Sequence, residues 1–271
     1  MYKLSKDKYG VLLDHLLTIP FNTLLAHSVV YGYADGAIYV DNVENPQTYY
    51  IIHSYGMTWL AGNSGNEAFN NRLRAYFQEK SFYRKKDEWL QTYPRSWDTF
   101  MDRLIEENIA ISSTRVNLKF DKAKFFENYS GLEKANYKVI ATTIEMLFEM
   151  NGSVVAKDYW ISSKKYSEIA KAFSVIIDER PVSTAFTSAR IGNKLEIGIE
   201  TLEEFQGMGL AYLVCAKLIE YCIDNNLEPI WACRLENTGS LRLSKKLGFT
   251  EVLRTPYYHI PKLRLPKKHW E

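Results

Sequence analysis

Between Lys194 and Arg234 the hydrophobic period of this chain changes, and the change limits the folds open to it. In "NKLEIGIET", Leu195, Ile197 and Ile199 alternate with Glu196, Gly198 and Glu200. A period of two marks a half-buried strand. From Leu210 the period lengthens: Leu210, Leu213, Val214, Leu218, Tyr221 and Cys222 fall on one helical face. "PIWACR" then reads as a short strand. Strand, helix and strand in succession imply an α/β or α+β protein. The junction is unusual. Gly207 and Gly209 stand at the mouth of the helix, where a side-chain cap or a proline would be the ordinary choice. Glycine costs conformational entropy there, so its use implies that something comes close to the backbone.

The neighbouring segments extend the pattern. "SVIID", the turn "ERP", "VSTAFTSARI" and "NKLEIGIET" read as an antiparallel meander. "YKVIATTIEMLFEM" and "YSEIAKAF" have helical spacing. "NTGSLRLSKKLGF" reads as a helix capped near Asn237 and ended at Gly248, and "TEVLRTPYYHI" supplies final strands. The first part opens with a helical pattern from Val11 to Leu17. Short β-rich runs follow in "GAIYVD", "TYYIIH" and "MTWLAG", and "GNSGNE" leads into a helix from Ala68 to Gln78. "KKDEWLQTYPRSWDTFMDRLIEENI" is mixed and becomes helical beyond Ser96, and "TRVNLKF" is a strand joining the two parts. With 271 residues the chain is long enough for two domains, expected at 1–114 and 115–271. "TWLAGNSGNEAFNNRLRAYF" in the smaller α/β N-terminal unit also runs strand, turn and helix, without the glycine motif.

Composition excludes several classes of function. The net charge of +2 is too balanced to give an electrostatic footprint for nucleic acid. The locally basic "KLRLPKKHWE" reads as a solvated tail. No apolar run reaches the ~18 residues of a membrane span, and the first residues lack a signal-peptide core and cleavage site. Cys215, Cys222 and Cys233 form no CxxC pair, and one helix would hold the first two about 10 Å apart. A reducing, cytoplasmic setting is expected. His15, His27, His53, His259 and His269 show no metal-ligand spacing, so no metal is expected. No Gly-x-Ser-x-Gly nucleophile pattern is present.

The glycine turn has three readings as an anion site. A dinucleotide fingerprint needs a third glycine, where this chain has Tyr212, and an acid at the end of the next strand, whereas Glu228 stands before it. A nucleotide-triphosphate loop needs Gly-Lys-Ser/Thr, which is absent. The third is an acyl-CoA turn, in which successive N–H groups at a helix start meet a pyrophosphate.

Gln206-Gly207-Met208-Gly209-Leu210-Ala211 resembles the Gln/Arg-x-x-Gly-x-Gly/Ala motif of the GCN5-related N-acetyltransferase (GNAT) superfamily. "NTGSLRLSKKLGF" resembles the family's Asn-x-x-Ala/Ser…Lys-Leu-Gly-Phe segment at the expected distance. From about Tyr159 to Phe249 the chain looks like a Gram-positive branch of that family with an appended N-terminal region. The resemblance implies a C-terminal GNAT fold, a mixed, mostly antiparallel central sheet flanked by helices. It also implies acetyl transfer from acetyl-CoA, as cosubstrate, to a small-molecule or peptide amine by direct attack. Ile199 and Thr201 would hydrogen-bond the pantetheine arm, Gln206, Gly207, Met208, Gly209, Leu210 and Ala211 would receive the pyrophosphate, and Asn237 and Ser240 would lie along the arm. Glu196 and Glu200 are the candidate bases. The family often places a tyrosine acid where this chain has Ser244, and Tyr257 or Tyr258 is the substitute. A non-catalytic sensor of CoA or an amine, or an interaction protein, is the alternative. By the same resemblance, the strand, turn and helix of "TWLAGNSGNEAFNNRLRAYF" leave a degenerate acyltransferase-like fold open for residues 1–114, with no coenzyme A expected there. A homodimer is left open.

Overall fold

In the computed structural model, which describes residues 1–78, 84, 86–129 and 137–262, the alternating stretches become strands of one mixed sheet. The first part holds β1 (Tyr2–Lys3), α1 (Leu13–Leu17), α2 (Leu24–Val30), β2 (Gly36–Val40), β3 (Thr48–His53), β4 (Met57–Gly62), α3 (Glu67–Phe77), β5 (Glu88–Tyr93), α4 (Asp98–Glu106) and β6 (Ile111–Phe120). The second holds α5 (Lys122–Asn128), β7 (Val139–Ala141), α6 (Ile144–Glu149), α7 (Ser163–Ile169), β8 (Ala172–Ile177), β9 (Arg180–Ile191), β10 (Lys194–Thr201), α8 (Leu210–Asp224), β11 (Glu228–Arg234), α9 (Thr238–Lys246) and β12 (Phe249–Ile260).

The strand order is β1-β2-β3-β4-β5-β12-β6-β11-β10-β9-β8-β7. Neighbours are antiparallel except β4 with β5 and β10 with β11, each joined by a crossover helix. In the middle the chain crosses itself. β6 lies between β11 and β12, and β12 lies between β6 and β5. The expected division after residue 114 therefore falls inside β6. Arg84 strengthens the crossing by donating to the carbonyls of Ile260 (3.0 Å) and Pro261 (2.6 Å) at the end of β12.

Helices cover both faces. α8 buries Val214, Cys215, Leu218, Ile219 and Cys222 against Leu195, Ile197 and Trp231. α2 packs on the opposite face, against Phe186 and Ala189 of β9 and Ile51 of β3. Those strands are far apart in the order, so the sheet curls around α2. All three cysteines are unpaired and buried. No helix among the described residues is long and apolar enough to cross a membrane.

Several segments depart from their sequence reading. "YKVIATTIEMLFEM" is not one helix. Val139–Ala141 pairs with β8, and Thr143 caps a separate α6 by accepting from the Met146 N–H. Its β-branched residues suit the sheet, and the threonine supplies a start signal after them. α7 stops at Ile169, and the rest of "YSEIAKAF" enters β8. "EWLQTY" is β5 rather than part of a mixed stretch. "TEVLRTPYYHI" is one long strand with a bulge. The basic tail from residue 263 onward, with His269, lies outside the described residues.

Candidate active site

β10 and β11 start together and then part. They pair at Lys194 with Glu228, Leu195 with Pro229 and Glu196 with Ile230, and no further. At the same place the pairing of β10 with β9 shifts between Glu196 and Ile197. A bulge bends its strand and ends regular pairing on one edge. Beyond it, Ile197–Ile199 of β10 and Trp231–Arg234 of β11 face each other across a cavity of about 400 Å³.

The turn after β10 is built for exposure of its backbone. Gly207 and Gly209 both have φ of +79°, a left-handed conformation that side chains disfavour. A Cβ at either would meet nothing within 4 Å. The glycines thus serve backbone conformation and leave the space in front of the turn open. Gly209 is the N-cap of α8 and supplies no side-chain cap. The N–H groups of Gly207, Met208, Gly209, Leu210 and Ala211 meet no acceptor among the described residues. Gln206 folds back, its Nε2 donating to the Thr201 carbonyl at 3.3 Å, while Thr201 Oγ1 pairs with the Ser183 hydroxyl at 2.8 Å. Across the cavity, Asn237 caps α9 by accepting from the Ser240 N–H (3.0 Å). The Ser240 hydroxyl accepts from Trp231 Nε1 at 3.0 Å. Asn237 and Ser240 both line the cavity.

Glu196 sits where the strands part, only 5% exposed, on the cavity wall. Burial pushes its carboxyl above the usual range, and Arg115 and Asn22 pull it back. Arg115 Nη2 lies 3.7 Å from one carboxylate oxygen. Asn22 stands close enough to act on the carboxyl, yet among the described residues neither Glu196 Oε2 nor Arg115 Nε has a partner in hydrogen-bond geometry. Leaving a buried polar atom unpaired costs about 1–3 kcal/mol, so such an atom on a cavity wall marks a place where a ligand can supply the missing bond. Glu200 is engaged elsewhere. Its carboxylate accepts from the N–H groups of Ser153 (3.2 Å) and Val154 (3.0 Å) and from the Ser153 hydroxyl, holding a loop that lines the cavity.

The remaining walls are aromatic. Tyr55 stacks on Tyr159 at 4.3 Å, and Trp89 stacks on Tyr257 at 5.3 Å. Arg115 lies 5.3 Å over the Tyr257 ring, and Arg234 lies 4.4 Å over Trp89. Burial pushes the Tyr257 phenol up to about 12, against the opposing pull of Arg115. Tyr258 points to the other face, into the core with Tyr50, Leu90 and Trp97. Ser244 is fully buried, does not line the cavity, and donates to the Leu241 carbonyl of its own helix at 2.9 Å.

The fold thus brings Glu196, Ile199, Asn237, Ser240 and Tyr257 to one cavity, and leaves Glu200, Thr201, Ser244 and the glycine turn at residues 206–211 off its walls. Sequence reasoning missed Tyr55, Trp89, Arg115, Tyr159 and Arg234. Only Arg234 left a signal. In "PIWACR" it takes the place of an apolar residue on the strand face of Ile230 and Ala232, whereas Arg115 falls on the polar face of "TRVNLKF" with Asn117 and Lys119.

A family model described as GNAT acetyltransferase matches residues 15–258. An uncharacterized N-acetyltransferase of Bacillus subtilis (strain 168), YdfB, is 27% identical over 264 residues, covering 96% of this chain and 98% of that protein. Among solved structures, a GCN5-related N-acetyltransferase-like protein from Streptococcus suis superposes with a TM-score of 0.71 at 20% identity, over 94% of this chain and 99% of that one. A tandem GNAT protein from the clavulanic acid biosynthesis pathway gives a TM-score of 0.63 at 10% identity, over 98% and 99%. The structural matches bear on the fold, and the family model bears on the class of chemistry.

Proposed function

Because the chain belongs to the GNAT acetyltransferases, we propose that it transfers an acetyl group to an amine held where β10 and β11 part. The observation that carries this reading is the conjunction at one cavity of two parted strand edges and a buried carboxylate with an unpaired oxygen, with an uncapped glycine turn following the strand that bears the carboxylate. When bound, acetyl-CoA supplies the acyl group as an activated thioester. The residues fit such a ligand. Gln206 to Ala211 would hold its pyrophosphate through the outward N–H groups and the positive end of α8. Ile199, Thr201 and the backbone between them would hydrogen-bond the pantetheine arm, with Asn237 and Ser240 along its other side.

Glu196 is the proposed base. An amine arrives mostly as its ammonium, and Glu196 Oε2 is an acceptor in a nearly dry wall, directly or through one water. A carboxyl raised by burial is closer to the working range of a general base than an ordinary glutamate. Tyr257 has the opposite character. With its phenol near 12 it keeps its proton against a thiolate, whose acid is ordinarily near 8.5, so it serves as a hydrogen-bond donor rather than a proton source. Leu25, Tyr55, Met57 and Trp89 lie on the cavity wall, which supports a role for residues 1–114 in shaping the acceptor side.

The test is calorimetry with acetyl-CoA on the wild type and on Gly209→Asp. The substitution places a side chain at a φ of +79° and a carboxylate before the anion-binding N–H groups. At an effective dielectric of 20 and a few ångströms the repulsion alone is about 4 kcal/mol before salt screening, so affinity should fall about 10²- to 10³-fold. Unchanged affinity, with the variant still folded, would remove the glycine turn from the cosubstrate site.

A further inference from the structure

The charges on the cavity wall do not balance, and the imbalance bears on the acceptor. Among the described residues, the charged side chains lining it are Arg115, Glu196 and Arg234. Arg115 is buried beside Glu196, which accounts for one pair of opposite charges. Arg234 is left over. It stands directly across from Arg115 in the pairing of β11 with β6, and like charges at directly opposite positions disfavour the sheet. Arg234 makes no ion pair and no side-chain hydrogen bond among the described residues. Its guanidinium carbon lies over the Trp89 ring, 4.4 Å from the centroid. The cation–π contact holds the group without using its N–H donors, which stay available for a carboxylate or a phosphate.

An ammonium entering this cavity meets one carboxylate and two guanidinium groups. A simple amine is therefore opposed by the net field, and an amine that carries its own anion is favoured. The aromatic faces of Tyr55, Trp89, Tyr159 and Tyr257 offer contact to an apolar or aromatic body between the two ends.

Building on the acetyltransferase reading, we propose that the acceptor is a primary amine bearing an acidic group on an apolar or aromatic body. Arg234, held on Trp89, binds the anion, and the amine points toward Glu196. Ile230, the partner of Glu196, and Arg234 are four residues apart on β11, about 13 Å along the strand. Arg115 Nε supplies a second unpaired donor on the same wall. The arrangement therefore selects for an acid and an amine at opposite ends of the molecule.

The experiment compares acids that carry the amine at the far end of an aromatic body with the amines that lack only the acid: 4-(aminomethyl)benzoate with benzylamine, and 4-(2-aminoethyl)benzoate with phenethylamine. Acetyl-CoA-dependent thiol release is measured for the wild type, Arg234→Met and Arg234→Lys, and acetyl-CoA affinity is measured separately by calorimetry. The wild type should prefer at least one acid over its partner by about 10- to 100-fold in kcat/KM, the worth of a charge-assisted hydrogen bond. Arg234→Met should abolish that preference, mainly through KM, and Arg234→Lys should restore part of it. The proposal is overturned if the amines are used as well as the acids, or if Arg234→Met keeps the preference. It is equally overturned if no acid is acetylated while acetyl-CoA binds normally. A loss of acetyl-CoA affinity in Arg234→Met also overturns it, because the guanidinium would then serve the cosubstrate. If wild-type protein binds no acetyl-CoA, the acetyltransferase site itself is misplaced, a failure distinct from all of these.

Discussion

β4, α3 and β5 have the same connectivity as β10, α8 and β11: a parallel pair of strands joined by a crossover helix. The two differ at each point where a ligand could enter. β4 and β5 stay paired from Met57 with Trp89 through Ala61 with Tyr93, whereas β10 and β11 part after Glu196. α3 is capped by Asn66, which accepts from the Phe69 N–H at 3.1 Å, whereas α8 begins at a bare glycine. Gly62, after β4, is packed so closely that a Cβ would lie 2.0 Å from the Gln47 carbonyl, whereas Gly209 faces open space. Each part also buries one glutamate near the crossover. Glu88 accepts from the hydroxyls of Tyr50 and Tyr76, both at 2.5 Å, with Arg84 at 4.0 Å, while Glu196 keeps an oxygen without a partner. The lesson is that one supersecondary unit becomes structural or ligand-ready according to whether its polar groups are satisfied from within.

Exchanging those states should separate rate from stability. The largest effect is expected for Glu196→Gln, which should lower kcat by about 10²- to 10⁴-fold, the usual worth of a general base, with acetyl-CoA affinity little changed. The lower limb of the pH–rate profile should vanish with it. Wild-type rates across pH would place the base elsewhere and erase the functional side of the contrast. Glu88→Ala should act the other way. Removing one partner from a buried, hydrogen-bonded ion pair costs about 3–5 kcal/mol, read as a lower midpoint in urea. The molecules that remain folded should turn over normally. A catalytic defect without loss of stability would mean that the closed crossover also serves the reaction.

The contrast was only partly legible beforehand. The open crossover could be read because its strands and helix are amphipathic and its glycines stand out; Lys194–Thr201, Leu210–Asp224 and Glu228–Arg234 fall where the period changes. α2 was not read. It buries Leu24, Leu25, Ala26, Ser28 and Val29 inside the curl of the sheet, so it has no polar face to give a helical period. β5 was missed because Glu88 and Gln91 are buried in it, and charged or amide residues do not announce a core strand. The aromatic walls were hidden for another reason. Tyr55, Trp89 and Tyr159 meet Tyr257 only through the tertiary arrangement of strands and loops, which no local pattern encodes.

A finer test uses protons. Burial raises the Glu196 pKa in the folded chain above its unfolded value near 4.5. The folded state therefore holds that proton more tightly, and the stability linked to it is present below 4.5 and lost as pH rises through the raised value. Glu196→Gln has no such loss. Its Tm relative to wild type should rise with pH across that window, and a flat difference would show that the carboxyl is not desolvated. The smallest effect belongs to the cap. Asn66→Ala should cost about 1 kcal/mol, seen as a drop in Tm of a few degrees, with acetyl-CoA affinity unaltered. A change in that affinity would connect the closed turn to the cosubstrate.

The exchange of β6 and β12 also sets a timetable for the newborn chain. β5 ends at Tyr93, and its native neighbour on one side does not begin until Phe249. At about 5–20 residues per second, the 155 residues from 94 to 248 take roughly 8–30 s to emerge from a ribosome. Throughout that interval the first part of the sheet presents an open edge. Its last seam closes only once β12 has emerged, so the chain cannot bank its first part as a finished product while making the second.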